Sequence, residues 1–414
     1  MQFDDVTRAY ARDLGRQEIE RAFAQFGIEP NHQSPFEAAD FCCSIPTIYR
    51  NDIVEAIHFW ITESRPQLRN RTVEEIDVGS IAWWIDFLNA FDPDPWRINV
   101  RSALIANDHT KLASLVSGES SEIDLQLPFT RLLIADALSR MGQGSLAVAE
   151  LKDAQRKFSN NAWLTQYLGK ALMYEDEKDF AAAARYLTAA VSLSPENSMM
   201  HEALGEALYQ TGNFRDAADQ FRHALIISPK FVQAKQWLAN SLIESGDFDE
   251  ATAHLDAVLL ECPEMSEAWT TKAILEQRLG NQTEAETSFR KASELKPNDD
   301  DLHLNLLSFL ETSGQIPRAV EHLRKLIDSN RNSVTWNRYL GHLLLRDKRA
   351  DEAIVFLDLV AKLDTEDFES HYDLGLAHHY AGNYSIALEC YKRAKQLNPD
   401  NDKVNLAIES AQRG

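Results

Sequence analysis

Cysteine is scarce in this chain: Cys42, Cys43, Cys262 and Cys390 are the four in 414 residues, two of them adjacent and none in a CxxC. That excludes a disulfide framework and a thiolate metal cage, so a reducing compartment, the cytoplasm, is the expectation. Glycine (16) and proline (13) are too few for a collagen-like or linker-rich chain. No apolar run approaches a membrane span, and the charged first twenty residues lack the apolar centre of a signal peptide. Basic residues are outnumbered, 42 Lys plus Arg against 64 Asp plus Glu, for a net charge of −22. Neutralising phosphates needs a basic surface, which argues against nucleic acid and anionic lipid as partners. Catalytic signatures are missing too: no GxxxxGK[ST], GxSxG, HExxH or GxGxxG. The densest histidines, His371, His378 and His379, have no cysteine or carboxylate at ligand spacing, so neither a metal nor a cofactor is expected. No enzyme is expected.

What the chain has is a repeat. Ala147, Ala183, Ala217, Ala251, Ala285, Ala319, Ala353 and Ala387 form a ladder whose first step is 36 residues and whose other six are 34. Four residues after each rung stands a large apolar residue: Leu151, Leu187, Phe221, Leu255, Phe289, Leu323, Leu357 or Tyr391. Five before it lies Gly142, Gly212, Gly246, Gly280, Gly314 or Gly382, with Lys178 and Lys348 in the other two places. Residues 198–231 show the physics of one unit. Leu204 and Leu208 share a helix face, and Gly205 lets a second helix approach closely. Gly212 supplies a tight left-handed turn. Ala217, Phe221, Ala224 and Leu225 stripe the second helix, and Pro229 stops it. Such a hairpin cannot bury its apolar face alone and must stack on its neighbours.

This pattern resembles the tetratricopeptide repeat family over residues 128–401, in eight units: 128–161, 162–197, 198–231, 232–265, 266–299, 300–333, 334–367 and 368–401. The two extra residues of the second unit fall in its turn, within 175–179, and residues 402–414 provide a closing helix. The resemblance implies an all-α chain: a right-handed superhelix, or α-solenoid, of about eight hairpins whose first helices line a concave groove. A helical N-terminal region, residues 1–127, precedes it. In that region helices are expected over 3–26, 47–62, 79–91, 97–107 and 110–117, with Trp83, Trp84 and Trp96 as core anchors. The words DPDPWR (92–97), LLIADAL (132–138) and AQRKF–NNAWL (154–164) resemble the non-catalytic region of large bacterial serine/threonine kinases with tetratricopeptide arrays. A kinase needs a glycine-rich loop, an HRD and a DFG, all missing here. That resemblance implies at most a regulatory or substrate-recruiting part, with the kinase domain on another chain.

In the resembled family, groove-facing residues recur four apart along each first helix. Here they include Glu202 and Glu206, then Asn240 and Glu244, then Arg278, then Arg338, His342 and Arg346, then Tyr372 and Tyr380. The early stripes are acidic and the late ones carry cations and tyrosines. The family's carboxylate clamp (a Lys/Asn/Asn/Lys/Arg set) and its asparagine ladder are not matched, since only Asn240 holds a ladder place. The expectation is therefore a scaffold that binds a protein or peptide segment, acidic where it meets the late stripe.

Overall fold

The structure is a computed structural model that describes residues 28, 32–42, 47–64, 78–106, 108–117, 123, 126–174 and 178–413. The helix expected over 3–26 lies outside them. Among the described residues there are helices and turns and no strand. The chain forms two compact units, Met1–Pro263 and Glu264–Gly414.

In the first unit, α1 (Pro35–Cys42), α2 (Thr47–Ser64), α3 (Val78–Phe91), α4 (Pro95–Ala106) and α5 (His109–Ser117) precede four hairpins. The hairpins pair α6 (Pro128–Arg140) with α7 (Gly144–Lys157), α8 (Ala162–Tyr174) with α9 (Phe180–Leu193), α10 (Ser198–Gln210) with α11 (Phe214–Ile227), and α12 (Val232–Ser245) with α13 (Phe248–Glu261). The second unit continues with α14 (Ser266–Leu279) and α15 (Gln282–Leu295), α16 (Asp300–Thr312) and α17 (Ile316–Ser329), α18 (Val334–Arg346) and α19 (Ala350–Leu363), and α20 (Phe368–Tyr380) and α21 (Tyr384–Leu397). Helix α22 (Asp402–Arg413) closes it, burying Val404 and Ala411 against Ala387, Tyr391 and Ala394.

Every ladder alanine is fully buried, and the large residue four further on is at most 4% exposed. Close approach is built on small residues opposite that large one. A Cβ added to Gly205 would lie 2.7 Å from the Phe221 ring, one on Gly341 2.5 Å from Leu357 Cγ, and one on Gly375 2.6 Å from Tyr391 Cε1. Each turn closes with a backbone hydrogen bond back to the first helix, such as Asn213 N–H to the Leu208 carbonyl (2.9 Å) and Asn383 N–H to that of His378 (2.8 Å). These bonds span five residues. In the second hairpin Asp179 N–H reaches the Leu172 carbonyl (2.8 Å), seven residues back, which locates the two extra residues in that turn. The turn glycines sit at φ between 72° and 89°, and Lys348 adopts the same left-handed region at φ 60°.

A polar residue four into the first helix ties each of several units to its entry loop. His201 Nε2–H donates to the Pro195 carbonyl (2.9 Å), His303 Nε2–H to that of Pro297 (3.0 Å), Asn337 Nδ2 to that of Arg331 (3.0 Å), and His371 Nε2–H to that of Thr365 (2.9 Å). A carbonyl only accepts, so these histidines carry their proton on Nε2.

Ahead of the hairpins, Trp84 and Trp96 are buried, while half-buried Trp83 stacks on Phe87 (5.8 Å) and donates Nε1–H to the Gln33 carbonyl (3.0 Å). The sequence DPDPWR has a packing role. Asp94 Oδ1 accepts from Arg97 N–H (2.8 Å), capping α4, and Pro95 opens the helix. The Asp92 carboxylate accepts from Arg97 Nη2 (2.6 Å) and Nε (2.7 Å), and from Arg101, which is 1% exposed. Helix α2 then docks on α6, where Phe129 N–H donates to Glu55 Oε2 (3.0 Å) and buried His58 meets Thr130 (3.1 Å).

Candidate interaction face

Within each unit a first helix packs against its own second helix and also touches the next first helix, as α8 does α10, α10 does α12 and α18 does α20. The residues expected at the groove lie on these first helices, and cross-helix polar contacts hold most of those whose contacts are seen.

In the second unit the stripe on α18 is paired throughout. Arg338 Nη2 donates to Asp367 Oδ2 (2.5 Å) and to Ser370 Oγ (2.6 Å), both at the start of α20, and the Ser370 hydroxyl donates on to Asp367 (2.7 Å). Asp367 also caps α20 by accepting from Ser370 N–H (3.0 Å). Burial works against the Asp367 carboxylate, but the Ser370 bonds and then Arg338 outweigh it and hold its pKa below the ordinary value. His342 Nε2 lies 2.8 Å from Asp373 Oδ2 on α20, and Arg338 Nε stands 3.9 Å from the same oxygen. Arg346 reaches back to Glu311 Oε2 on α16, whose other oxygen accepts from the Tyr339 hydroxyl (2.5 Å). Burial and that bond push the Tyr339 phenol above its usual range.

The three cations expected on this stripe therefore face three carboxylates, Glu311, Asp367 and Asp373. The face is an ion-paired surface rather than a basic patch. Its exposed parts are Arg346 (64%), His342 (48%) and Tyr380 (66%). Tyr372 is half-buried, stacked on Phe368 (5.8 Å) and tilted against buried Tyr391 (5.7 Å), so part of it belongs to the core. Arg278 is exposed on α14.

In the first unit, Glu202 and Glu206 lie on α10 and Asn240 and Glu244 on α12. Glu206 is 8% exposed and takes the Tyr174 hydroxyl of α8. Burial, opposed by Lys170 and reinforced by Glu206, raises the Glu202 carboxyl to about 7. Asn240 and Glu244 are half-buried.

The carboxylates and hydroxyls that fix this face, Glu311, Asp367, Ser370, Asp373, Tyr339 and Tyr174, were not anticipated. One signal could have found them, because partners lie about one repeat apart. Arg338 and Asp367 are separated by 29 residues, Arg346 and Glu311 by 35, and Tyr174 and Glu206 by 32. The second helices use the same offset: Arg222 Nη2–Glu250 Oε2 (2.9 Å) recurs as Arg324 Nη2–Glu352 Oε2 (2.9 Å).

Profiles of the tetratricopeptide repeat family match residues 168–230, 212–275, 266–299, 310–368 and 368–401, together more than half of the chain. The chain is similar to the tetratricopeptide repeat-containing protein trd-1 of Caenorhabditis elegans, 32% identical over 139 residues. That match takes in 33% of this chain and 17% of the relative, so the chain spans about a sixth of the relative's length. Among solved structures it is similar to the type IV pilus biogenesis factor PilW (19% identity, 50% of this chain and 95% of that one, TM-score 0.44). It is also similar to a tetratricopeptide repeat protein of Parabacteroides merdae (17% identity, 61% and 98%, TM-score 0.37).

Proposed function

Because the chain belongs to the tetratricopeptide repeat family, we propose that it is a non-enzymatic scaffold holding a segment of another protein against its first helices. The observation that carries this is the α18–α20 surface. Arg346, His342 and Tyr380 stand exposed there, while Glu311 behind Arg346 holds its side chain in place and Asp373 lies beside His342. Side chains fixed before binding lose less conformational freedom when a partner arrives. Arg346 commits Nη1 to Glu311, and its remaining donors, with the Tyr380 hydroxyl, suit a carboxylate on the bound segment. The paired acids oppose a strongly anionic partner, so one or two carboxylates on an extended segment fit better than an acidic run. The net charge of −22 supports a protein partner over nucleic acid or anionic membrane. Among the described residues no helix is long and apolar enough to cross a membrane, and few cysteines favour the cytoplasm as its compartment.

The reading as a regulatory part of a kinase system rests on the N-terminal sequence words alone, and DPDPWR is accounted for by the packing of Asp92, Arg97 and Arg101. The test is fluorescence anisotropy with labelled octapeptides that end in a free carboxylate and differ elsewhere. Binders should lose about 1–3 kcal/mol on R346A with Y380A at unchanged helical content. Affinities untouched by the pair of substitutions would remove this surface from the proposal.

A further inference from the structure

The first helices of the first unit present acceptors that the fold leaves unanswered. Glu202 and Glu206 stand four apart on α10. Glu206 has the Tyr174 hydroxyl. Glu202 makes no hydrogen bond or ion pair with any described residue, and Lys170 of α8 acts on it only through its field. Gln166 occupies on α8 the place that Glu202 holds on α10, the fifth residue of its helix. Its side chain is 1% exposed and donates Nε2–H to the Met199 carbonyl, one turn before Glu202, at 3.3 Å. That bond fixes the amide, because only the nitrogen can donate to a carbonyl, and it leaves Gln166 Oε1 buried without a partner. A buried acceptor without a donor is costly, and so is a carboxylate withdrawn from water.

The second unit shows what an answered site looks like. There the Glu311 carboxylate of α16 has a cation from the neighbouring first helix, Arg346 of α18.

We propose that the α8–α10 face is a subsite for a cationic side chain, the lysine ammonium or arginine guanidinium of a protein segment laid across the first unit. The two unanswered groups, Glu202 and Gln166 Oε1, both accept hydrogen bonds, and only a donor-rich cation supplies several donors together with a charge opposite to that of Glu202 and Glu206. The subsite rests on the reading that first helices receive the partner, yet it uses other residues and another probe.

The experiment is fluorescence anisotropy of the full chain with a labelled decalysine peptide at pH 7.5. It compares E202Q with E206Q against a control, E294Q with E389Q, which removes the same charge from exposed places on the second helices. The isosteric changes keep the fold, as circular dichroism will check. Decalysine should bind, and E202Q with E206Q should weaken it about tenfold or more, while the control changes it less than about twofold. Wild-type binding should also weaken from pH 8 to pH 6, as the Glu202 carboxyl takes up its proton. Absence of decalysine binding, or equal weakening by both pairs, overturns the subsite, the latter by showing only the general field of an acidic protein. Neither result touches the octapeptide test at Arg346 and Tyr380, so failure here and failure of the scaffold reading are distinguishable.

Discussion

Acidification should loosen the second unit at one histidine pair. His303 donates Nε2–H to the Pro297 carbonyl, so its Nδ1 is an acceptor, and it receives His322 Nε2–H at 3.1 Å. Both rings are neutral in this arrangement and both are buried, at 5% and 8% exposure, with the Trp336 ring set edge-on to His303 at 6.2 Å. Burial first, then His303, Arg290 and Lys325, depress the His322 pKa to about 4. An unfolded histidine titrates near 6.5, so as pH falls the unfolded state takes the proton first. The stabilisation is whole above about pH 6.5 and is lost toward pH 4, amounting to about 2 kcal/mol between pH 7.5 and 5. Hydrogen exchange of α16 and α17 amides, corrected for intrinsic rates, measures it locally. H322Q keeps a donor to His303 without the low-pH proton uptake. Protection in the wild type should fall about 30-fold more than in H322Q over that range. Parallel losses in the two proteins would refute the neutral-pair reasoning.

Three further outcomes follow from the packing. G205A drives a methyl to 2.7 Å from the Phe221 ring and should cost about 1–3 kcal/mol in a urea melt; an unchanged midpoint would contradict the close helix approach. K348G relieves a non-glycine residue at φ 60° and should gain about 0.5–1 kcal/mol, read as a raised melting temperature. D92N leaves Arg101, 1% exposed, without its carboxylate and should cost about 3–5 kcal/mol, seen as early loss of amide protection in α3 and α4.

The repeat was legible because its cause is local and periodic. Each ladder alanine meets the same crossing in every hairpin, and all eight are fully buried. The turn glycines were legible for the same reason, and among the described residues Lys348 is the non-glycine that takes their left-handed conformation. The face itself was half legible. Helical spacing placed Arg338, His342 and Arg346 together, but the carboxylates beside them, Asp367, Asp373 and Glu311, are hidden by sequence distance. Tyr372 was read as facing the groove, yet it stacks on Phe368 and tilts against buried Tyr391. Helix α1 was missed although its signal is local: Ser34 Oγ accepts from Glu37 N–H (3.3 Å) while Glu37 Oε2 accepts from Ser34 N–H (2.9 Å), a capping box. Short helices of that kind carry little apolar periodicity, so the cap is the only mark they leave.

The central claim, that partners are held on the first helices, is tested most directly by site-specific photocrosslinking in extract of the source cell. A benzophenone side chain replaces Ser308 on α16 or Tyr380 on α20, both exposed first-helix positions, and in parallel Arg324 on α17 or Val355 on α19, exposed on second helices. The account predicts a common crosslinked protein from positions 308 and 380, lost on prior R346A with H342A, and none from 324 and 355. Capture from 324 and 355 with nothing from 308 and 380 would contradict it.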